Sequence, residues 1–317
     1  MWIDDYVKMM FTPSIQDMDK EGAEALKLKH LPPSLFKYRS INNYSIENLK
    51  NDEFWFSPVR LMNDPYDSLA TIDDSKLAET RYKYRYYKWA PTILKDNNRE
   101  VIPSDLENFR NQSLEEVLRY LGTDMNSEHT IKILGKPQKE IPGFRAFEIN
   151  MLIRNKVHIS CFSERNDSVL MWSHYTNNHT GFCIEYDFQR PDINPKIIEG
   201  LFPVIYTDKL VDLTSFREQA IWDYDNVNLN CYIHPVMNKS TQWEYEKEWR
   251  FASGPGAKLQ YSGYNYKFFP PKAIYLGTNI SGQDRLMLID IAKEKGIPIF
   301  QMHMSNNQFG LIPKKIS

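Results

Sequence analysis

The strongest constraint on this chain is how its extended-type runs are cut. Aromatic and β-branched residues come in short runs, and each run is closed by a polar residue or a proline. Phe36-Lys37-Tyr38-Arg39, Phe54-Trp55-Phe56-Ser57-Pro58, Val157 to Ser163, Gly181 to Tyr186, Phe202 to Tyr206, Glu248 to Ala252, Ala273 to Gly277 and Pro298 to Met302 all read as strands. Val, Ile, Tyr, Phe and Trp favour the pleated state, and proline ends it. Between these runs lie helical patterns: residues 42–51, 104–121 (capped by Ser104 with Glu107), 143–154, and 282–295 ending at Gly296. Helices interleaved with short strands predict an α+β fold with mostly antiparallel pairing. The high aromatic content, 14%, fits strands and stacking pockets.

The organisation follows from texture. Residues 1–30 read as a helical lead-in, and Pro32-Pro33 separates them from one α+β unit spanning 31–317. Residues from about 75 to 150 differ from their flanks and predict a helical insertion. Within it, Arg81, Lys83, Arg85 and Lys88 alternate with tyrosines, predicting a helix with an aromatic face and a basic face. Such a helix usually packs one face and solvates the other, but phosphate pairing with base stacking is the functional alternative.

A net charge of −2 excludes a uniformly basic nucleic-acid coat and leaves room for a local basic groove. Three cysteines without regular spacing predict neither a disulfide framework nor a zinc cluster, and a cytoplasmic setting is expected. Asp4 and Asp5 stand where a signal peptide needs positive charge, and no apolar run reaches membrane length. No glycine-rich phosphate loop and no metal-ligand spacing is present, so no metal is expected.

What remains is a set of polar residues at strand ends. Trp243-Glu244-Tyr245-Glu246-Lys247-Glu248-Trp249-Arg250 places three acids at spacing two, which a strand would point to one face. That reads as a solvated edge strand or as a carboxylate poised in a cleft. Arg39, at the end of an aromatic strand, either pairs with a surface acid or holds a phosphate in a bidentate fork. Ser160 and Ser163 flank Cys161-Phe162. Asn63-Asp64-Pro65-Tyr66-Asp67 reads first as a specified turn. Trp172-Ser173-His174-Tyr175 precedes His179, more simply a structural donor than a catalyst.

Taken in order, these segments resemble the bacterial domain-of-unknown-function family twenty-nine seventy-one, over roughly residues 35–300. They also resemble the Arg–Ser–Glu class of ADP-ribosyltransferases, in which an early Arg, a Ser on a middle strand and a late Glu-x-Glu line one cleft. Arg39, the Ser160/Ser163 strand and Glu246-Lys247-Glu248 fall in that order, with Ser-Cys-Phe-Ser in place of Ser-Thr-Ser. The resemblance implies a split-sheet core and an NAD-dependent ADP-ribosyltransferase-like enzyme. It would cleave the nicotinamide–ribose bond and transfer ADP-ribose to a macromolecule, protein or nucleic acid. A bacterial toxin or antiphage defence effector of that kind implies an antitoxin or neutralising protein as partner. Glu248, Glu246 and Arg39 are then the catalytic candidates. Tyr38, Arg39, Ser160, Ser163, Trp172 and Tyr175 are candidates to hold NAD, with Asn63, Asp64, His179 and Arg250 in support. The competing classes are a nucleotide or nucleic-acid binding module without chemistry, and a hydrolase, either an NAD glycohydrolase or a metal-using nuclease.

Overall fold

A computed structural model describes residues 2–125, 127, 131, 142–253 and 262–316. It is a mixed α+β structure with a mostly antiparallel sheet. The strands are β1 (Leu35–Arg39), β2 (Glu53–Pro58), β3 (Ala70–Thr71), β4 (His158–Ser163), β5 (Phe182–Tyr186), β6 (Leu201–Pro203), β7 (Ile205–Tyr206), β8 (Val211–Asp212), β9 (Asn238–Lys239), β10 (Glu248–Ser253), β11 (Tyr264–Lys267), β12 (Ala273–Leu276), β13 (Ile299–Met304) and β14 (Leu311–Lys315). Among the described residues the central sheet runs β11-β2-β4-β1-β5-β12-β13-β14, with β10 paired to β4 and to β6. β12 and β13 are parallel, joined through the Gly282–Lys295 helix, which Gly296 closes in the left-handed conformation (φ 65°). β11 and β14 carry no run strong enough to have been expected.

The sheet opens at its centre. One edge of β4 is covered along its whole length by β10, from Glu248↔Ser163 to Ser253↔His158. Its other edge is shared. β1 touches it only at Phe36↔Ser163, and β2 only at Ser57↔Ile159 and Pro58↔His158. Between these contacts β1 turns away to pair fully with β5, and β2 turns away to pair with β11. The connection from β1 to β2 is the Asn43–Asn51 helix. Asn42 and Ser45 form a reciprocal capping box at its start, and Asp52 ends it at φ 52°.

Apolar side chains fill both sides of this split. Phe54, Phe56, Phe162, Ile184, Tyr186 and Trp249 share one core. Tyr38, Trp172, Cys183 and Tyr275 share another. The lead-in forms two helices, Trp2–Met10 and Lys20–His30. Trp2 stacks on Trp249 of β10, so these helices brace that strand. Among the described residues, no helix is long and apolar enough to cross a membrane.

The insertion departs from expectation in two places. The helix expected over 104–121 is broken. It comprises Pro103–Glu107, a short 3-10 turn, and Leu114–Leu121, and the capping box is Ser113 with Glu116 rather than Ser104 with Glu107. The apolar periodicity runs through the break, so periodicity alone hides it. The basic helix forms as Asp74–Asp96, but its faces are mixed: Lys83 and Tyr86 are both buried. The Lys83 ammonium donates to the Arg110 and Gln112 carbonyls (3.3 and 2.8 Å), which removes it from the nucleic-acid candidates. Part of the loop expected over 122–142 lies outside the described residues.

Beside β1 the chain makes a tight return. Asn177, Asn178 and His179 are successive left-handed residues (φ 50°, 56° and 66°). They bring the Gly181 backbone so close that a Cβ there would lie 2.2 Å from the Arg39 carbonyl oxygen, and one at Gly277 would lie 2.0 Å from that of His179. Only glycine fits where two backbones meet like this. Gly277→Ala is therefore expected to cost about 1–3 kcal/mol by overpacking, read as a lower denaturant midpoint; an unchanged midpoint would contradict this packing.

Candidate functional site

A cavity of about 410 Å³ occupies the opening between β1, β2 and β4. Strand register explains which side chains reach it. Lys37, Arg39, Ser160 and Phe162 belong to one face of the sheet, and Tyr38, Cys161, Ser163, Glu248 and Arg250 to the other. In a closed sheet these two sets could not meet. Here both line the same cavity because the strands separate.

The carboxylate-rich segment is not a continuous strand. Thr241–Glu246 is a 3-10 turn, Lys247 is left-handed (φ 45°), and the strand begins at Glu248. The left-handed residue changes the side-chain direction between the acids. Glu244 is exposed and pairs with Lys247 (2.9 Å), while Glu246 and Glu248 are buried at the cavity wall.

These two glutamates belong to a chain of buried charges. Lys239 donates to both, to Glu246 Oε2 and to Glu248 Oε2 (2.9 Å). Arg250 Nε and Nη2 donate to Glu248 (2.9 and 3.1 Å), and its Nη1 and Nη2 grip both oxygens of Asp67 (2.7 Å each). Nη1 also reaches the Val236 carbonyl (2.6 Å). Three carboxylates thus meet two cations, with Tyr175 donating to Glu246 Oε1 (2.6 Å).

The environment drives the two glutamates apart. Burial and the neighbouring Glu248 charge raise the pKa of Glu246, against the pull of Lys239 and the Tyr175 hydrogen bond. Burial acts upward on Glu248 too, but Arg250 and Lys239 outweigh it and hold Glu248 well below the usual carboxylate range. Glu248 is thus a fixed anion and Glu246 the more readily protonated partner. Among the described residues no group of three or more His, Cys, Asp or Glu is placed to hold a metal ion.

Arg39 differs from Arg250. It lines the cavity half-buried, and among the described residues its guanidinium has no carboxylate partner. Burial lowers its pKa only from the top of the range, so it stays charged.

Of the residues singled out in the sequence, Tyr38, Arg39, Asn63, Ser160, Ser163, Tyr175, Glu246, Glu248 and Arg250 line this cavity. Several are already committed. Ser163 Oγ donates to the Glu246 carbonyl (2.6 Å), fixing the turn that carries that acid. The Tyr38 hydroxyl donates to the Arg165 carbonyl (2.8 Å). Trp172 is not at the cavity surface: it is fully buried, packs edge-on against Tyr38 (5.3 Å) and donates through Nε1 to the Asn166 carbonyl. His179 also lies away from the cavity, its Nε2 3.1 Å from Ser173 Oγ. Asp64 accepts from the Tyr66 N–H (2.9 Å) within its turn and faces a neighbouring cavity. Arg81, Lys83, Arg85 and Lys88 line neither cavity. Three charged residues at the cavity wall carry no candidate role in the sequence: Lys37, Asp67 and Lys239. Lys37 and Asp67 sit inside motifs that were noticed, whereas Lys239 has no local signal.

Residues 171–251 match the family described as Protein of unknown function (DUF2971), a stretch that is well under half of the chain. It holds Tyr175, Lys239, Glu246, Glu248 and Arg250. No curated protein and no solved structure matches the chain.

Removing one member of a buried ion-pair chain strands its partners. Arg250→Met is expected to destabilise the protein by about 3–5 kcal/mol, measured by urea unfolding; a cost under about 1 kcal/mol would show that Asp67 and Glu248 do not depend on it.

Proposed function

We propose that this chain is an NAD-dependent ADP-ribosyltransferase-like enzyme, and that the central cavity binds NAD as substrate. The observation that carries this reading is the pair Glu246 and Glu248: two cavity-lining carboxylates, bridged by Lys239, whose pKa values are pushed in opposite directions. Opposed pKa values in neighbouring carboxylates mark separate acid–base and electrostatic roles. Chemistry at a sugar C1′ needs both.

In this reading the nicotinamide–ribose bond breaks and its electron pair leaves on the nicotinamide nitrogen. Positive charge develops at C1′ and the ring oxygen. Glu248, fixed as an anion, stabilises that charge and accepts from the ribose 2′-hydroxyl. The acceptor's nucleophilic atom then bonds to C1′, and its proton passes to Glu246. A base whose pKa is raised toward neutrality suits that transfer. Arg39, without a carboxylate partner among the described residues, takes the diphosphate. Tyr38 and Tyr175 offer aromatic surface to the cationic nicotinamide ring. The cavity volume lies within the range of small-molecule sites.

The metal-dependent nuclease alternative fits less well. The position a divalent cation would take between the two glutamates is filled by the Lys239 ammonium. An NAD glycohydrolase uses the same geometry with water as acceptor.

The test is nicotinamide release from NAD, with and without nucleic-acid and protein acceptors. Glu248→Gln is expected to lower the rate about 10²–10³-fold while NAD still binds. The rate should rise with pH through the raised Glu246 pKa, because the base must be ionised, and Glu246→Gln should flatten that limb. Free ADP-ribose as sole product assigns water as acceptor. If NAD neither binds nor releases nicotinamide, the reading fails.

A further inference from the structure

β1 places two cationic side chains on one face, two residues apart, and both line the cavity. Among the described residues neither is paired with a carboxylate, Arg39 included. The Lys37 ammonium donates to Ser160 Oγ (2.7 Å) and to the Cys161 carbonyl (3.0 Å), both uncharged, and forms no ion pair among the described residues. It is buried against the Phe162 and Phe54 rings (4.8 and 5.7 Å to their centroids). An ammonium held by neutral acceptors next to a second cation is a costly arrangement, and it becomes favourable when an anion arrives.

We propose that Lys37 is the second cation of an anion subsite: with Arg39 and the Ser160 hydroxyl it holds the phosphate groups of the nucleotide in the cavity. This deepens the reading of the cavity as an NAD site and rests on it. Because Lys37 donates into Ser160 Oγ, the Ser160 proton is left to point at an anion oxygen, and the chain Lys37–Ser160–phosphate polarises in one direction. Arg39 adds a planar fork.

The groups acting on Lys37 set the sign. From β1 comes the like charge of Arg39. From β4 come Ser160, the Cys161 carbonyl and thiol, and Phe162; from β2, Phe54. From β10 comes the Glu248 carboxylate, already held by Lys239 and Arg250. Burial first, and Arg39 second, lower the pKa of Lys37 to about 7. A bound anion raises it again. The complex therefore holds the proton more tightly than the free protein, and affinity is greatest below about pH 7 and falls as pH rises through it.

The experiment is calorimetric titration of the full chain with ADP-ribose, whose diphosphate keeps both charges across that range. Binding is expected to weaken about tenfold between about pH 6 and about pH 8. Lys37→Met should weaken it about tenfold or more at the lower pH and abolish the pH dependence. Lys37→Arg, which keeps the charge, should retain the affinity and lose the pH dependence, so the parent and this variant suffice if the methionine variant does not fold. ADP-ribose that fails to bind the parent, binds it equally at both pH values, or binds Lys37→Met as tightly overturns the proposal. NAD turnover alongside undiminished ADP-ribose binding by Lys37→Met removes the subsite and leaves the enzymatic reading. Strong pH-dependent ADP-ribose binding without nicotinamide release does the reverse.

Discussion

The site is organised around the Arg250 guanidinium, which lies wholly inside the protein. Its donors reach Asp67 from the turn after β2, the Val236 carbonyl from a 3-10 turn, and Glu248 from its own strand. Three segments, one of them 183 residues away in sequence, are thereby held at fixed distances. A buried ion pair is weak evidence for stability, since desolvation offsets much of the attraction. What it provides is geometry. Rotating Arg250 away would leave Asp67 and Glu248 as unpaired anions in a dry interior. The position of Glu248 at the cavity wall is thus set by the arginine behind it, and Lys239 carries the same constraint on to Glu246.

The second organising fact is the opening in the sheet. β1 and β2 each touch β4 at one end and then leave it for other partners. The gap admits side chains from both faces, so a cationic set and a carboxylate set share one cavity. Lys37 spans the gap by donating to the Cys161 carbonyl (3.0 Å). The close return at Gly181 and Gly277 presses against the end of β1 and holds Arg39 at the rim.

Features with local causes were legible in the sequence. The short strands, the helix closed by Gly296, and the Asn43–Asn51 helix with Ile46 and Leu49 inward all follow from residue spacing and caps. The residues that line the cavity were legible as motifs, though not their tasks. Ser163 braces a turn, Trp172 backs Tyr38, and Arg250 organises anions. Those tasks depend on contacts across many residues of chain, such as Asp67 with Arg250, and no window of sequence contains them. Lys239 is the clearest case: an ordinary lysine between polar residues becomes the bridge of the site only after folding. The mixed face of the Asp74–Asp96 helix has the same origin, because Lys83 is drawn inward by carbonyls about thirty residues away.

An open sheet has one more consequence. A molecule seated in the split supplies contacts that the strands leave unmade, so occupancy and folding share one free energy. Ligand that binds only the folded chain raises the unfolding temperature by an amount set by its concentration relative to its dissociation constant. The melting curve of this protein is therefore a reporter of what fits the cavity, and it reads binding without any knowledge of the reaction.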